Sequence, residues 1–308
     1  MKPLGSAPRS VLPEHVIGCL PLLVLPGAAL LTQSQLPAWG FMGAMTLALY
    51  AGCKWFSWWT VRKDLRCPGL GWTTGYLLLW PGMDARTFFQ SDTKRPPVGP
   101  IPWAAAVICV ALGLGLLFRA TPLLYPAHPI AAAWVGWGGG LLILHFGAFH
   151  LAALGWRRAG RDARPLMNAP WGATSLGAFW TRHWNAAFPA LVREPVFRPI
   201  ARRWGTMAAT VAVFGLSGLA HEAVISLPAK AGHGLPTIYF LLQASGILVQ
   251  RSRWARAAGL ERGALGWGFT MLLLAGPARL LFHDAFMDRV VLPLMETIGA
   301  VPPSLGGS

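Results

Sequence analysis

Residues 204–229 read WGTMAATVAVFGLSGLAHEAVISLPA. A helix that spans a bilayer needs about 20 apolar residues, with a range of roughly 17–25. This stretch has that length, and near its far end it carries His221 and Glu222 side by side. An ionised side chain at the centre of a membrane helix costs about 2.5–3.5 kcal/mol on insertion scales. Two adjacent ionisable groups at depth therefore call for a reason. Either they serve chemistry, or His221 is a helix–helix hydrogen-bonder. Ser217 and His221 stand four residues apart and share a face. Gly215 and Gly218 keep the helix slim, so that another helix or a substrate chain can come close.

The rest of the chain is of the same kind. Six further apolar stretches lie at 16–31, 36–59, 101–118, 130–156, 235–249 and 264–282. Of the 308 residues, 54% are hydrophobic and only 12% are charged, with a mean hydropathy of +0.48. A soluble domain carries about 25% charged residues. A soluble globular enzyme and a disordered chain are both excluded on this ground. The 16 Trp and 36 Gly fit a polytopic membrane protein. No repeat or low-complexity tract divides the chain, so 1–308 reads as one domain. The expected fold is all-α, with seven transmembrane helices plus one shorter element at 70–82. That element ends in Trp80-Pro81-Gly82 and suits a re-entrant or interfacial segment.

Charge orients the spans. There are 26 Lys and Arg against 11 Asp and Glu. If 70–82 does not cross and the N-terminus is cytoplasmic, the cytoplasmic pieces are 1–15, 54–69, 83–100, 157–203 and 250–263. These pieces hold 22 of the 26 cations, nine of them arginines in 157–203. If 70–82 crosses, that loop moves outside and the positive-inside rule is broken. The expected location is a bacterial inner membrane, with the loop 157–203 in the cytoplasm. Lys2 and Arg9, followed by an apolar run, could mimic a signal peptide. Without a convincing small-residue cleavage site, the run reads as a first membrane helix. Cys19, Cys53, Cys67 and Cys109 show no C-x-x-C spacing, so neither a disulfide framework nor a metal site is expected. No nucleic-acid-binding motif accompanies the positive charge. The stretch 284–298 alternates apolar and charged residues and reads as a short interfacial helix.

Upstream of the 204–229 helix lies Ser175-Leu176-Gly177-Ala178-Phe179-Trp180-Thr181-Arg182-His183-Trp184-Asn185. Taken alone, it could be an interfacial amphipathic helix with its aromatics at the head groups. Together with Ser217-Gly218-Leu219-Ala220-His221-Glu222, whose His221 stands 36 residues after Asn185, it resembles the signature of the membrane-bound O-acyltransferases, in the wax synthase-like branch. Trp80-Pro81-Gly82-Met83-Asp84 resembles that branch too. The motifs cover roughly 76–92 and 170–226. Compared with the sterol and glycerolipid members, Arg182 replaces an acidic residue and His183 a Trp. These departures bear on the acyl acceptor more than on the reaction type.

The resemblance implies transfer of an acyl group from acyl-CoA, as co-substrate, to a lipophilic alcohol, with no resident cofactor. It implies His221 as general base and Asn185 as a catalytic positioning or carbonyl-polarising group. Such a base suits an imidazole, whose ordinary pKa is near 6.5. Trp180, Trp184, Arg182, Ser217, Glu222, Arg202 and Arg203 are the candidate substrate-binding residues, and Arg193 and Arg198 are further phosphate partners. The expected partners are acyl-CoA, a hydrophobic alcohol and the bilayer. Arg279, in the last span, is a candidate partner for Glu222; alternatively it snorkels to the interface. Two rivals stand beside this reading. One is a transporter or lipid-binding protein using His221, Glu222 and Arg279. The other is a protease, because Gly215 to Gly218 spells the G-x-S-G of rhomboid intramembrane proteases, with His283 as a conceivable partner.

Overall fold

Apolar runs in this chain become helices because a helix satisfies its backbone polar groups internally, which lipid cannot do. The computed structural model describes residues 12–65, 69–90 and 98–303; Lys2, Arg9 and Cys67 lie outside them. Among the described residues there is no strand. The main helices are α1 (Leu12–Leu30), α2 (Ala38–Trp59), α3 (Pro100–Leu124), α4 (Pro129–Arg158), α5 (Ala187–Ala229), α6 (Leu235–Gln250), α7 (Gly263–Leu281) and α8 (284–297). The protein is an all-α membrane protein.

Four of these helices, α3, α4, α5 and α7, are long and apolar enough to cross a bilayer. Val16–Leu30 and α6 are shorter apolar helices. At 22 residues α2 is long enough, but Lys54 and its run of Trp lower its hydropathy. Length and composition thus sustain four of the seven expected crossings. Between α2 and α3, the helical turns Leu70–Thr74 and Gly75–Leu79 together rise only about 15 Å at 1.5 Å per residue. The chain then runs extended to Asp84, which caps Ala85–Phe89 by accepting the Thr87 N–H at 3.0 Å. Large apolar side chains such as Leu23, Ile101 and Leu272 are exposed, which suits a surface solvated by lipid.

π-helical turns interrupt the helices, at Leu142–Ala148 in α4 and at Glu222–Ser226 in α5, and a further one forms at Phe179–His183. Such turns are frequent at functional sites. These three fall on His145, beside His221 and within the first motif, while others at Gly75–Leu79, Leu116–Ala120, Arg193–Phe197 and Met287–Val291 do not, so the turns alone do not mark the site. The α5 helix is also broken at Gly205, whose φ of 85° no other residue adopts easily. That break sits where the span was expected to begin, at Trp204.

Two main cores hold the bundle. One joins Phe214 of α5, Tyr239 and Phe240 of α6, and Phe286, Met287 and Val290 of α8. The other joins Tyr76, Trp80 and Phe88 to Ala153 of α4 and Ala187 of α5. The segment 284–298 is therefore helical as expected, but its apolar face is not left for a membrane surface. Phe286, Met287, Val290 and Val291 are fully buried in the first core.

Candidate active site

His221 ends the regular part of α5. Its Nδ1 lies 2.7 Å from the carbonyl oxygen of Ser217, one turn back. A carbonyl can only accept, so Nδ1 carries the proton and Nε2 keeps its lone pair. The ring packs on Phe240 of α6 with centroids 4.5 Å apart. Gly218 makes this possible. A Cβ at Gly218 would fall 2.7 Å from the Thr237 Cα, so only glycine lets α6 come this close. Gly215 has no such role, since a Cβ there would meet nothing within 4 Å.

The first motif reaches the same place through its aromatics. Ser175 caps the short turn Leu176–Ala178 by accepting the Ala178 N–H. The following π turn presents Trp180 edge-on to Phe214 at 5.7 Å and against Phe240 at 5.6 Å. Phe240 thus touches both Trp180 and His221. On the other side, Trp184 stacks on Phe179 at 5.8 Å and on His145 at 5.9 Å. Aromatic rings therefore form a wall that runs from His145 to His221.

Asn185 stands at a chain corner with φ of 45°, a left-handed conformation that asparagine tolerates. Its backbone N–H points at the Met167 sulfur at 3.3 Å, and its carbonyl accepts the Phe188 N–H at 3.1 Å. The side chain is exposed, and among the described residues no hydrogen bond joins it to His221 or to any other protein group. The two expected catalytic residues are thus linked through the aromatic wall and not directly.

Glu222 does not meet Arg279. Its Oε1 accepts the N–H groups of Gly234 and Thr237, at 3.0 and 3.1 Å, and the Thr237 hydroxyl at 3.0 Å. It caps the start of α6 from another helix. Arg279 is exposed and lies 3.7 Å from Asp284. His221, Glu222 and Arg279 therefore do not assemble as a transport path. Ser217 is buried, and its hydroxyl meets no histidine among the described residues. His283 spends its Nδ1 on the Phe286 N–H. The G-x-S-G reading thus lacks its dyad.

The segment 157–203 is not a loop throughout: from Ala187 on it is helical and forms the start of α5, so Arg193, Arg202 and Arg203 stand on that helix and only Arg182 precedes it; all four are exposed and pair with no carboxylate. The Arg203 guanidinium lies over the Trp204 ring at 5.1 Å. Arg198 is engaged by Glu194 at 2.7 Å, which leaves it less free for phosphate. Among the described residues, no three His, Cys, Asp or Glu side chains gather to hold a metal.

Sequence reading missed Lys54, counting it with a solvated loop. The helix runs past it, as the stretch 36–59 implied, but the side chain is buried, 1% exposed. Its ammonium donates to the Gly82 carbonyl and lies over the Tyr76 ring at 3.4 Å. Tyr50 donates to the Trp80 carbonyl at 3.1 Å, and Ser57 pairs with the Tyr76 hydroxyl at 2.7 Å. Tyr50, Lys54 and Ser57 are spaced i, i+4, i+7, a polar stripe on an apolar helix that would have marked the face. They clamp the Trp80-Pro81-Gly82 turn against α2. That turn shares a core with Ala187, two residues after Asn185.

The fold and site define an all-α membrane protein with a histidine presented along an aromatic wall inside its bundle. Residues 163–242 match the profile of the Membrane bound O-acyl transferase family. The chain is 30% identical over 144 residues to "Probable long-chain-alcohol O-fatty-acyltransferase 2" of Arabidopsis thaliana, covering 42% of this chain and 41% of that protein. It is 34% identical over 110 residues to "Probable long-chain-alcohol O-fatty-acyltransferase 1" of the same plant, covering 32% of each. It is 30% identical over 128 residues to "Long-chain-alcohol O-fatty-acyltransferase" of Simmondsia chinensis, covering 37% of this chain and 36% of that protein. The match spans about two fifths of the length of the first of these relatives. The resemblance to the membrane-bound O-acyltransferases and their wax synthase-like branch is borne out by these matches.

Proposed function

We propose that the protein is an O-acyltransferase that esterifies a lipophilic alcohol with the acyl group of acyl-CoA. The observation that carries this reading is the His221 Nδ1 contact to the Ser217 carbonyl at 2.7 Å, which leaves Nε2 as an acceptor. A free alcohol is a weak nucleophile near neutral pH, so a base must take its proton as it attacks. Nε2 takes that proton while the alcohol oxygen bonds to the thioester carbon. The carbonyl becomes an oxyanion, and the Asn185 amide is assigned to stabilise it. Collapse re-forms the carbonyl and breaks the C–S bond. The imidazolium then returns its proton to the departing thiolate, giving an ester and CoA.

The aromatic wall of Trp184, Phe179, Trp180 and Phe240 supplies an apolar face for the acyl chain. The unpaired Arg182, Arg202 and Arg203 suit the phosphates of CoA. This assignment puts the segment 157–203 on the cytoplasmic side, where CoA is made, in keeping with the positive-inside rule. The relatives' names support a long-chain alcohol as acceptor.

The test incubates membranes containing the protein with labelled acyl-CoA and a panel of alcohols and identifies products by mass spectrometry. An ester that forms with the native chain and is lost in His221→Ala is expected. No ester from any long-chain alcohol would refute the proposal.

A further inference from the structure

Among the buried polar atoms that meet no partner within the described residues, those of His283 and Glu222 lie on neighbouring elements. His283 precedes α8 and is 5% exposed. Its Nδ1 accepts the Phe286 N–H at 3.1 Å, capping that helix. An atom that accepts an N–H cannot carry a proton of its own in the neutral ring, so the proton is on Nε2. Burial pushes the His283 imidazole below its ordinary pKa, against the pull of the Glu222 and Asp284 carboxylates, which favours that neutral form. The Nε2–H is buried and unpaired among the described residues.

The second atom is Glu222 Oε2. It too is buried and receives no hydrogen bond of good geometry. Ser226, one turn on, stands beside the carboxylate, but its hydroxyl is given to the Gly232 carbonyl at 3.3 Å. The loop 230–234 links the two atoms. Glu222 holds it through the Gly234 N–H. Gly232, at φ +69°, lies directly on His283, where a Cβ would fall 2.3 Å from Nε2. A buried donor or acceptor left unmade costs about 1–3 kcal/mol, so a group that meets both is favoured there.

The chemistry narrows what satisfies both atoms. An anion is repelled by the carboxylate. A cation suits the carboxylate but not the N–H. A hydroxyl accepts from Nε2–H and donates to Oε2. We propose that Glu222 Oε2 and His283 Nε2 together form a binding site for a single hydroxyl group. The hydroxyl has two possible sources: a water molecule, or the alcohol acceptor itself. The second source rests on the acyltransferase reading. Position fits that role, because Thr237, which binds Glu222, is one turn from Phe240, which packs on His221.

The test uses the full chain in detergent with His283→Asn, Glu222→Gln and the double variant. Asparagine keeps an oxygen to cap the Phe286 N–H but has no Nε2. Glutamine keeps an acceptor for α6 but offers the hydroxyl no second carboxylate oxygen. Without any substrate, if water fills the site, the two losses in thermal midpoint should not add, and the double variant should melt no lower than the worse single one. If the hydroxyl is water, coupling is seen and the KM for a long-chain alcohol stays within twofold. If it is the acceptor's, each single variant raises the alcohol KM about tenfold, the value for one hydrogen bond of 1.4 kcal/mol, with acyl-CoA KM unchanged. Strictly additive thermal losses with unchanged alcohol KM overturn the site. Coupling that survives Gly232→Ala, which drives a methyl at Nε2, would overturn it too. The thermal cycle needs no turnover, so it stands or falls apart from the acyltransferase reading.

Discussion

Two glycines three residues apart in α5 should respond in opposite ways to the same change. At Gly218, an alanine methyl would lie 2.7 Å from the Thr237 Cα, 3.2 Å from its Oγ1 and 3.3 Å from its Cβ. The obstacle is backbone, so no rotamer relieves it. The start of α6 must retreat by roughly 1 Å to regain ordinary packing distance. That movement stretches the three bonds from Gly234 and Thr237 to Glu222 and loosens Phe240 from His221. Overpacking of this kind costs about 1–3 kcal/mol. At Gly215, the methyl meets nothing within 4 Å, and glycine in a helix interior is less favourable than alanine by roughly 0.5–1 kcal/mol. Gly218→Ala should therefore melt a few degrees below the native protein, and Gly215→Ala should melt at or above it. Ester formation should fall in the first and hold in the second. The assay is thermal unfolding in detergent with product analysis on the same samples. A Gly218→Ala protein as stable and active as the native one would show that α6 does not rest on α5 at this turn.

His221→Ala should abolish transfer without loss of expression or membrane insertion; activity within a few fold of native would end its role as base. Asn185→Gly keeps the left-handed corner at φ 45° and removes only the amide, so folding should survive while kcat drops by about 10²–10³, the range for one lost oxyanion donor. A change confined to KM would make Asn185 a binding residue instead. Glu222→Ala should lower stability by about 1–2 kcal/mol through the lost cap on α6. Arg279→Met should change neither stability nor turnover, and the two should combine additively; a large coupling between them in a thermal double-mutant cycle would contradict the structure.

Much of this protein is written in short-range pattern. A spacing of four along a helix puts Ser217 and His221 on one face whatever else the chain does, and the bond between them follows. Apolar runs of this length bounded by cations read as helices because a helix satisfies its own backbone in lipid. The motif pair at Phe179–Asn185 and Ser217–Glu222 was legible for the same reason, as local strings of residues.

What depended on packing between helices was not legible. Glu222 has a carboxylate's full reach, and sequence offered Arg279 as its partner, yet the close approach at Gly218 brings the start of α6 within range first. Lys54 lies beside Trp55, Trp58 and Trp59 at the end of an apolar stretch, and only the return of the 70–84 segment onto α2 turns its surroundings into a core. In the sequence His283 is only a residue between the stretches 264–282 and 284–298; the burial of α8 in the main core places it against Gly232. Contacts of this kind are set by which helices neighbour each other and at what depth, and a one-dimensional pattern of apolar runs leaves both free.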